Sequence, residues 1–379
     1  MKIIIDKKEI STLTSIVYRA ASNKTTIPIL SGLFINANND SGLTLTATDM
    51  EIGIRVSTSN VQILNEGTIL VNAHYFADFI KLLPDTDISL ELNQEKTKLN
   101  ISYGRSSGFI NTYSEQEYPN LPINKIKPIL TLPQNILKKA LRKTHFAAAA
   151  NHFRQVFTGV LFDIVDNKTV KIIASDTHRL AYYVHNLTEG KLEPIKFIIP
   201  NRTVNELLRL LEDSKEIINI SLSENNIVFH KDNFLMVSRL IEGQYPNYDQ
   251  VIPSTFGMAV KINSHTLLNT LERAKIMPSD QKLKIQHIQF YFDNSEAVLS
   301  SYSELMGEIE EVIEQIEIEG KGDLKISFNT NYLLEAVKIF ESECDQINIT
   351  LSDSLGPAML KNDKDENYFY IIVPLRTNN

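Results

Sequence analysis

Six stretches of the chain carry apolar residues three and four positions apart, which is the spacing of an amphipathic helix. Two lie in each third of the chain, over residues 11–22, 73–83, 134–149, 202–211, 264–275 and 331–340. The second stretch of each pair follows a strand-like run and a capping Asn, and it precedes an alternating strand, ISLEL, INISL or INITL. The pattern predicts three units, each with the order strand, helix, several strands, helix, several strands.

Short motifs recur at the same period of 127 residues. EYPNL at 117–121 returns as QYPNY at 244–248, and SGLFINA at 31–37 returns as TGVLFDI at 158–164. Thr48-Asp49 corresponds in the same way to Ser175-Asp176, whereas the third copy is degenerate around Ser300 and Ser301. The sequence therefore predicts an α+β fold made of three tandem two-helix, antiparallel-sheet domains. Proline-rich segments mark the joints and place the domains at residues 1–127, 128–254 and 255–379.

Separate sheets would leave exposed strand edges, so we expect the sheets of neighbouring domains to join end to end.

Composition narrows the class of protein. The chain has 379 residues, 43% of them hydrophobic, and a net charge of −8. Its single cysteine, Cys344, excludes an intramolecular disulfide, and the first residues lack the apolar stretch of a signal peptide. The longest apolar run, at 368–375, is too short to span a bilayer. We expect a cytoplasmic protein with no membrane partner.

Charge is unevenly distributed over the three predicted domains, with net values of −1, +2 and −9. Much of the acidity lies at residues 304–319, which include Glu304 and Glu308 and no basic residue. This run is either a solvated strand face or a patch that meets a basic partner, and both interpretations stay open. A predicted hairpin of the first domain supplies candidate cations: Lys96, Lys98 and Arg105.

The first helix of the second domain has the opposite bias. It carries two stripes of cations, which are Lys138, Lys139, Arg142 and Lys143. No acidic residue lies between Thr131 and Asn151, and Arg154 follows shortly after the helix. Such a face is either ordinary solvated surface or a surface aimed at phosphates.

Signatures of catalysis and of metal binding do not appear in the sequence. The histidines never form HExxH, one cysteine cannot form CxxC, and no Walker or Rossmann glycine pattern occurs. Ser175 and His178 are close in sequence, but strand alternation would place them on opposite faces. We therefore expect no catalytic residue, no metal and no cofactor, and assign His178 and Arg179 to a turn or a binding role.

The repeats and several motifs together resemble the bacterial DNA sliding clamps, the beta subunits of DNA polymerase III. The motifs are TIPILSGLFI at 26–35, TATDMEIGI at 46–54, ASDTHRLA at 174–181, GQYPNYDQVIP at 243–253 and VPLR at 373–376. The resemblance implies a head-to-tail homodimer that forms a closed six-domain ring around duplex DNA, without sequence recognition and without catalysis. It implies as partners the replicative polymerase catalytic subunit, the clamp loader and other proteins with clamp-binding peptides.

The resemblance also implies a peptide pocket between the second and third domains. Its residues would be Phe157, Ser175, Thr177, His178, Arg179, Leu180, Pro246, Gln250, Val251, Tyr332, Val373, Pro374, Leu375 and Arg376. Three positions depart from the family pattern, which has glycine at Thr177, often arginine at Gln250 and often serine at Pro357. These departures concern rim contacts and peptide preference. Three residues, 377–379, extend beyond the usual end and could crowd the groove.

The family further implies surfaces for DNA and for the second copy. Residues predicted to face DNA are Lys24, Lys138, Lys139, Arg142, Lys143, Arg154 and Arg202, with Arg209 as a weaker candidate beside Glu206 and Glu212. For the dimer interface we expect Lys96, Lys98 and Arg105 of one copy to face Glu304 and Glu308 of the other. Phe109 would supply the apolar contact.

Two other functions compete with a clamp. The first is a hydrolase built on the Ser175–His178 segment, which would turn over an ester or a phosphodiester. The second is an adaptor that binds peptides in the same pocket but never encircles DNA, and the basic helix at 134–149 argues against it.

Overall fold

A computed structural model describes residues 1–115, 117–123, 126–166, 168–187, 192–279, 285–293, 296–320 and 323–376. The extension at 377–379, for which we predict crowding of the groove, lies outside the described residues. Among the helices of the described part, none is long and apolar enough to cross a membrane.

Six α-helices lie where the sequence predicts them, two in each third of the chain. They are α1 (Lys7–Val17), α2 (Ala73–Leu82), α3 (Gln134–Thr144), α4 (Asn201–Leu210), α5 (Ser264–Ala274) and α6 (Thr330–Glu341). Side chains of Asn72, Asn263 and Asn329 cap α2, α5 and α6, in agreement with the predicted Asn caps of α2 and α6. Helix α1 starts four residues before its prediction because Asp6 accepts hydrogen bonds from the backbone of Lys8 and Glu9.

Strands fill the segments between the helices. The first third contains β1 (Lys2–Asp6), β2 (Gly32–Asn38), β3 (Gly42–Thr48), β4 (Ile52–Thr58), β5 (Gln62–Asn65), β6 (Gly67–Asn72), β7 (Asp87–Leu92), β8 (Lys98–Tyr103) and β9 (Ser106–Tyr113). The middle third contains β10 (Pro128–Pro133), β11 (Gly159–Ile164), β12 (Thr169–Ser175), β13 (Arg179–Asn186), β14 (Ile195–Pro200), β15 (Ile217–Ser223), β16 (Asn226–Lys231) and β17 (Phe234–Arg239). The last third contains β18 (Met258–Asn263), β19 (His287–Asp293), β20 (Glu296–Ser303), β21 (Gly307–Ile313), β22 (Glu317–Gly320), β23 (Leu324–Asn329), β24 (Gln346–Leu351), β25 (Ala358–Asn362) and β26 (Asp365–Ile372).

The chain divides into two compact units, and the predicted central domain contributes to both. The first unit comprises residues 1–138 and 205–240. It holds one antiparallel sheet of thirteen strands in the order β10-β15-β16-β17-β4-β3-β2-β6-β9-β8-β7-β1-β5. Within this sheet β17 pairs with β4, from Phe234 opposite Val56 to Ser238 opposite Ile52. Strands of the second repeat therefore extend the sheet of the first, as the edge argument predicts.

The second unit comprises residues 139–204 and 241–379. It holds a nine-stranded sheet in the order β14-β11-β12-β13-β26-β25-β24-β18-β22 and a four-stranded sheet in the order β21-β20-β19-β23. Here β13 pairs with β26, from Arg179 opposite Ile372 to Tyr183 opposite Tyr368. The joint between β17 and β4 is thus repeated, one period later, between β26 and β13.

The same two strand positions exist a third time, as β21 and β9. Among the described residues, β21 lies at the edge of its sheet with β20 as its neighbour. Strand β9 pairs with β8 along its length but with β6 only at Tyr113 and Thr112, so residues 106–111 present an open edge. Both edges are of the kind that other strands can extend.

Each helix buries one apolar face. In α1 that face contains Ile10, Leu13 and Val17, and in α5 it contains Leu267 and Leu271, all nearly inaccessible to water. Helix α1 packs on α2, and α5 packs on α6, so each pair covers the sheet of its own repeat.

Candidate functional site

A cavity of about 650 Å³ opens in the second unit beside the turn that joins β12 to β13. Its walls come from that turn, from the segment after β17 and from the end of β26. The lining residues are Phe157, Ser175, Thr177, Arg179, Leu180, Tyr245, Pro246, Asn247, Tyr248, Gln250, Val251, Ile252, Pro253, Ser254, Thr255, Ser352, Pro357, Ile371 and Val373.

Nine of the predicted pocket residues line this cavity: Phe157, Ser175, Thr177, Arg179, Leu180, Pro246, Gln250, Val251 and Val373. Five other predicted residues are not among those that line the cavity, and their role stays a prediction: His178, Tyr332, Pro374, Leu375 and Arg376. Backbone hydrogen bonds show the course of the last of these residues. Val373 donates to the His178 carbonyl at 2.9 Å, and Leu375 donates to the Ser327 carbonyl at 2.8 Å, so the chain turns away along β23.

Several lining residues are not among those predicted from the sequence, chiefly Tyr245, Tyr248 and the run 252–255. A signal was present, because the repeated Tyr-Pro-Asn motif continues directly into these residues. The motif alone could not say which of its side chains would face the cavity.

The segment 175–179 is a hairpin turn closed by side-chain to backbone hydrogen bonds. Asp176 accepts from the backbone of His178 and Arg179, and the Ser175 hydroxyl donates to the Arg179 carbonyl at 2.7 Å. Thr177 occupies the left-handed region with φ of 77°. His178 is exposed in the turn rather than on a strand, which corrects the expectation that alternation separates it from Ser175. The Ser175 hydroxyl is occupied by its turn hydrogen bond, an arrangement that does not fit a nucleophile.

The first repeat builds the same turn. Thr48 donates to the Ile52 carbonyl at 2.9 Å, and Asp49 accepts from the backbone of Glu51 and Ile52. Met50 takes the place of Thr177 with φ of 74°. The turn is therefore a property of the repeat rather than of the cavity.

Arg179 is buried in a network of its own. Its guanidinium pairs with Glu335, donates to Asp176 at 2.9 Å and to the Phe146 carbonyl at 2.7 Å, and lies 4.1 Å from the centre of the Tyr332 ring. Burial lowers the pKa of Arg179, but the neighbouring groups raise it above the ordinary value overall. Its charge is thus paired inside the protein.

The repeated tyrosines cover the sheet in both copies. In the first repeat the Tyr118 hydroxyl accepts from the Thr48 backbone at 3.1 Å, and its ring stacks on Phe34. In the second repeat Tyr245 is buried against Phe157, with ring centres 5.7 Å apart. Burial raises the pKa of both tyrosines. The motif therefore first serves to cover a sheet, and only its second copy borders the cavity.

Tyr248 fixes the next part of this segment. Its hydroxyl donates to Oδ2 of the buried Asp163 at 2.6 Å, and Lys196 lies 2.7 Å from the same oxygen. Burial, together with the hydrogen bond and charge of Asp163, raises the pKa of Tyr248, so its hydroxyl remains a donor at neutral pH.

The basic face of α3 is less uniform than its sequence indicates. Lys143 is only 1% exposed; its Nζ lies 2.8 Å from Asp365 and 2.5 Å from Glu343, beneath the Tyr368 ring. This corrects the prediction that Lys143 faces DNA, because a buried, doubly paired ammonium cannot reach a phosphate. Lys138 pairs with Asp213 at 3.1 Å, and Lys139 lies 3.8 Å from Asp365.

Other cations predicted to face DNA lie at the surface. Arg142, Lys139, Lys24, Arg154 and Arg202 are exposed. Arg154 also lies 5.2 Å from the Phe157 ring centre. Arg209 is paired with Glu206 at 2.8 Å, so its charge is compensated.

The predicted interface residues lie on the two open edge strands or in the elements next to them. Phe109 on β9 is 57% exposed, and Lys98 Nζ lies 4.4 Å from its ring centre. Lys96 and Arg105 lie in the turns on either side of β8. Glu304 lies in the turn before β21 and Glu308 on β21, and both are exposed. Part of the acidic run is compensated locally, since Glu311 pairs with Arg273, which lowers the pKa of Glu311.

In the part of the chain that the structure describes, no group of His, Cys, Asp or Glu side chains could hold a metal ion.

Comparison with known proteins gives a consistent result along the whole chain. Family models of the DNA polymerase III beta subunit match residues 1–122 (N-terminal domain), 131–247 (central domain) and 249–376 (C-terminal domain). The beta sliding clamp of Halalkalibacterium halodurans is 31% identical over 386 residues, which covers 100% of both chains.

Solved structures agree. The DNA polymerase sliding clamp of Bacillus subtilis is 28% identical with a TM-score of 0.92, and all of both chains is covered. A sliding clamp of Pseudomonas aeruginosa bound to griselimycin is 25% identical with a TM-score of 0.89, again over all of both chains.

Proposed function

Because this chain belongs to the family of DNA polymerase III beta subunits, the sliding clamps, we propose that two copies close head to tail into a ring around duplex DNA. A sliding clamp is a processivity factor without catalytic turnover. The domain boundaries 1–127, 128–254 and 255–379, the partners and the site residues are parts of this proposal.

One observation supports the ring. The strand pairing that joins neighbouring repeats forms twice within the chain, and a third pair of corresponding strands is present. Inside the chain β4 pairs with β17, and β13 pairs with β26. The strands at the corresponding positions, β21 and β9, are left with open edges among the described residues. If β21 of one copy pairs with β9 of another, two copies form two equal joints and leave neither edge open.

Strand positions also give the register of the proposed joint. Phe109 is the fourth residue of β9, and the fourth residues of β17 and β26 are Val237 and Tyr368. Val237 lies opposite the second residue of β4, and Tyr368 lies opposite the fifth of β13. If β9 and β21 pair as these two joints do, Phe109 would lie opposite a residue between the second and the fifth of β21. That part of the strand runs from Glu308 to Glu311. Lys98 beside its ring would then meet the acidic edge.

A ring explains how a chain with a net charge of −8 retains DNA. Encirclement supplies the retention, so only the surfaces next to DNA need cations. We assign this role to the exposed Arg142 and Lys139 of α3 and to Lys24, Arg154 and Arg202. Such contacts reach phosphates and carry no base readout.

The cavity of about 650 Å³ is the proposed site for partner peptides. Apart from Arg179, whose guanidinium is already paired, its lining side chains are uncharged. We therefore expect a short segment with apolar anchors, held by burial and hydrogen bonds rather than by ion pairs. The polymerase catalytic subunit, the clamp loader and other clamp-binding proteins of the cytoplasm would supply such segments.

Retention on DNA of defined topology tests the ring. Labelled protein is loaded on nicked circular plasmid by a clamp loader, separated by gel filtration, and compared with the same sample after one restriction cut. We expect retention on the circle and loss within minutes after the cut, because only a ring slides off an end. Equal retention on both would exclude encirclement and leave the peptide adaptor. Turnover of ester substrates by the purified protein, abolished in Ser175→Ala, would favour the hydrolase.

A further inference from the structure

More than half of the residues that line the cavity come from one stretch, residues 245–255, here called the wall segment. Apart from a single 3₁₀ turn at Tyr248–Val251, the wall segment has no regular secondary structure. Irregular chain lacks the repeated hydrogen bonds that fix a strand, so its position depends on a few side-chain contacts. These side-chain contacts therefore determine the width of the cavity at the wall segment.

One of these contacts is made by a buried carboxylate. Asp163 on β11 is 3% exposed, and its Oδ2 accepts from the Tyr248 hydroxyl at 2.6 Å. Lys196 on β14 lies 2.7 Å from the same atom. A buried carboxylate is costly unless it is paired and hydrogen-bonded, and here one oxygen has both partners. Tyr248 itself lines the cavity, whereas Asp163 does not.

A second contact supports the same turn. Lys171 on β12 lies 3.6 Å from Asp249 and 5.4 Å from the Tyr248 ring centre. In the sheet, Asp163 lies between Lys171 and Lys196 on the neighbouring strands. Two lysines and two carboxylates are therefore paired around the 3₁₀ turn that begins at Tyr248.

The first repeat shows that the fold does not require this arrangement. There the corresponding strands place Asn36 between Thr44 and Thr68, and Leu121 stands in place of Tyr248. Leu121 is buried against Val228 and Val237, an ordinary apolar contact. The position of Tyr248 is thus held by apolar packing of Leu121 in the first repeat and by a buried charge cluster in the repeat that borders the cavity.

We infer that Asp163 is a positioning residue for peptide binding: through Tyr248 it holds the wall segment at the distance from Leu180 and Val373 that an apolar peptide requires. This inference rests on the proposed peptide site. It assigns part of the affinity of that site for peptides to a carboxylate that the peptide does not contact. It further implies that Tyr248 acts through its hydroxyl as well as through its ring.

The test removes the hydroxyl and keeps the ring. Full-length Tyr248→Phe and Asp163→Asn are titrated with a fluorescein-labelled uncharged peptide that carries leucine and phenylalanine anchors, with polarisation as the readout. Each variant is expected to bind about tenfold more weakly, since hydrogen bonds to charged groups are among the stronger ones. The double variant should bind no more weakly than Asp163→Asn, because both changes break one interaction. Tyr118→Phe, which removes a tyrosine hydroxyl from the Tyr-Pro-Asn motif of the first repeat and lies outside the cavity, is the control and should bind as the unmodified chain does.

Hydrogen exchange separates positioning from a general loss of stability. In Tyr248→Phe the amides of the wall segment should exchange faster, while the strands of both large sheets and the dimer mass stay unchanged. Affinity equal to that of the unmodified chain in both single variants, or unaltered exchange over residues 245–255, overturns the inference alone. If Leu180→Asp, which places a charge in the cavity, also leaves binding unchanged, the peptide site itself is wrong and the inference falls with it.

Discussion

Two residues of this chain hold a left-handed backbone conformation at the same repeat position. Thr177 has φ of 77° and Met50 has φ of 74°, and both follow an aspartate that caps the turn. This conformation is unfavourable for a residue with a Cβ, and more so for a β-branched one such as threonine. Because the strain occurs in both repeats, it belongs to the turn and not to the cavity that only the second repeat borders.

Replacing Thr177 by glycine should therefore stabilise the protein. Relief of the left-handed strain outweighs the added chain entropy of glycine, and we expect a gain of about 1 kcal/mol in the free energy of unfolding. Urea denaturation followed by circular dichroism measures it. Met50→Gly is the matched control outside the cavity and should give a smaller gain of about 0.5 kcal/mol, since methionine is not β-branched. A loss of stability in Thr177→Gly would show that its side chain contributes more than its backbone costs.

At the scale of elements, the sequence predicted what is periodic and missed what depends on distant contacts. Helix positions and the repeated turn follow from spacing within a few residues, so they were predicted correctly. The start of α1 was not predicted because one residue, Asp6, is both the last residue of β1 and the N-cap of the helix. Lys143 was misassigned because its partners, Glu343 and Asp365, lie about two hundred residues away and no helical pattern contains them.

Helix α3 allows a direct test of this difference between neighbouring cations. Arg142 is exposed, whereas Lys143 is buried between two carboxylates. Arg142→Ala should reduce the slope of log binding constant against log salt concentration by about 0.9, measured with short duplexes by fluorescence anisotropy. Lys143→Met should leave that slope unchanged and instead lower the free energy of unfolding by about 3 kcal/mol, because it removes the buried cation that both Glu343 and Asp365 contact.

The opposite result for either variant would contradict the assignment of Arg142 to the surface that faces DNA and of Lys143 to the interior. An unchanged salt slope in Arg142→Ala means that this face of α3 does not meet DNA. Lys364→Ala, which removes one exposed cation from the turn between β25 and β26, serves as the control for net charge.

For the whole molecule, the threefold repeat determines which strands are left to pair with a second copy. Three copies of one unit provide three pairs of joining strands, and a single chain uses only two pairs. The third pair consists of an acidic edge, β21, and of β9, whose exposed Phe109 has Lys98 of β8 beside its ring. The concentration of negative charge in the last repeat, which composition alone leaves unexplained, is accounted for if that edge meets a basic one.

Changing Phe109 to aspartate should therefore open the ring. The variant removes an exposed aromatic side chain from each of two joints and places a carboxylate opposite the acidic part of β21 from Glu308 to Glu311. With about 2 kcal/mol lost per joint, the dimer dissociation constant should rise roughly thousandfold. Sedimentation velocity at micromolar concentration should then show monomers, and retention on circular DNA should disappear. Leu82→Asp, which changes an 83% exposed apolar residue on α2, should remain dimeric. A dimeric Phe109→Asp that still stays on circles would place the joint on other strands.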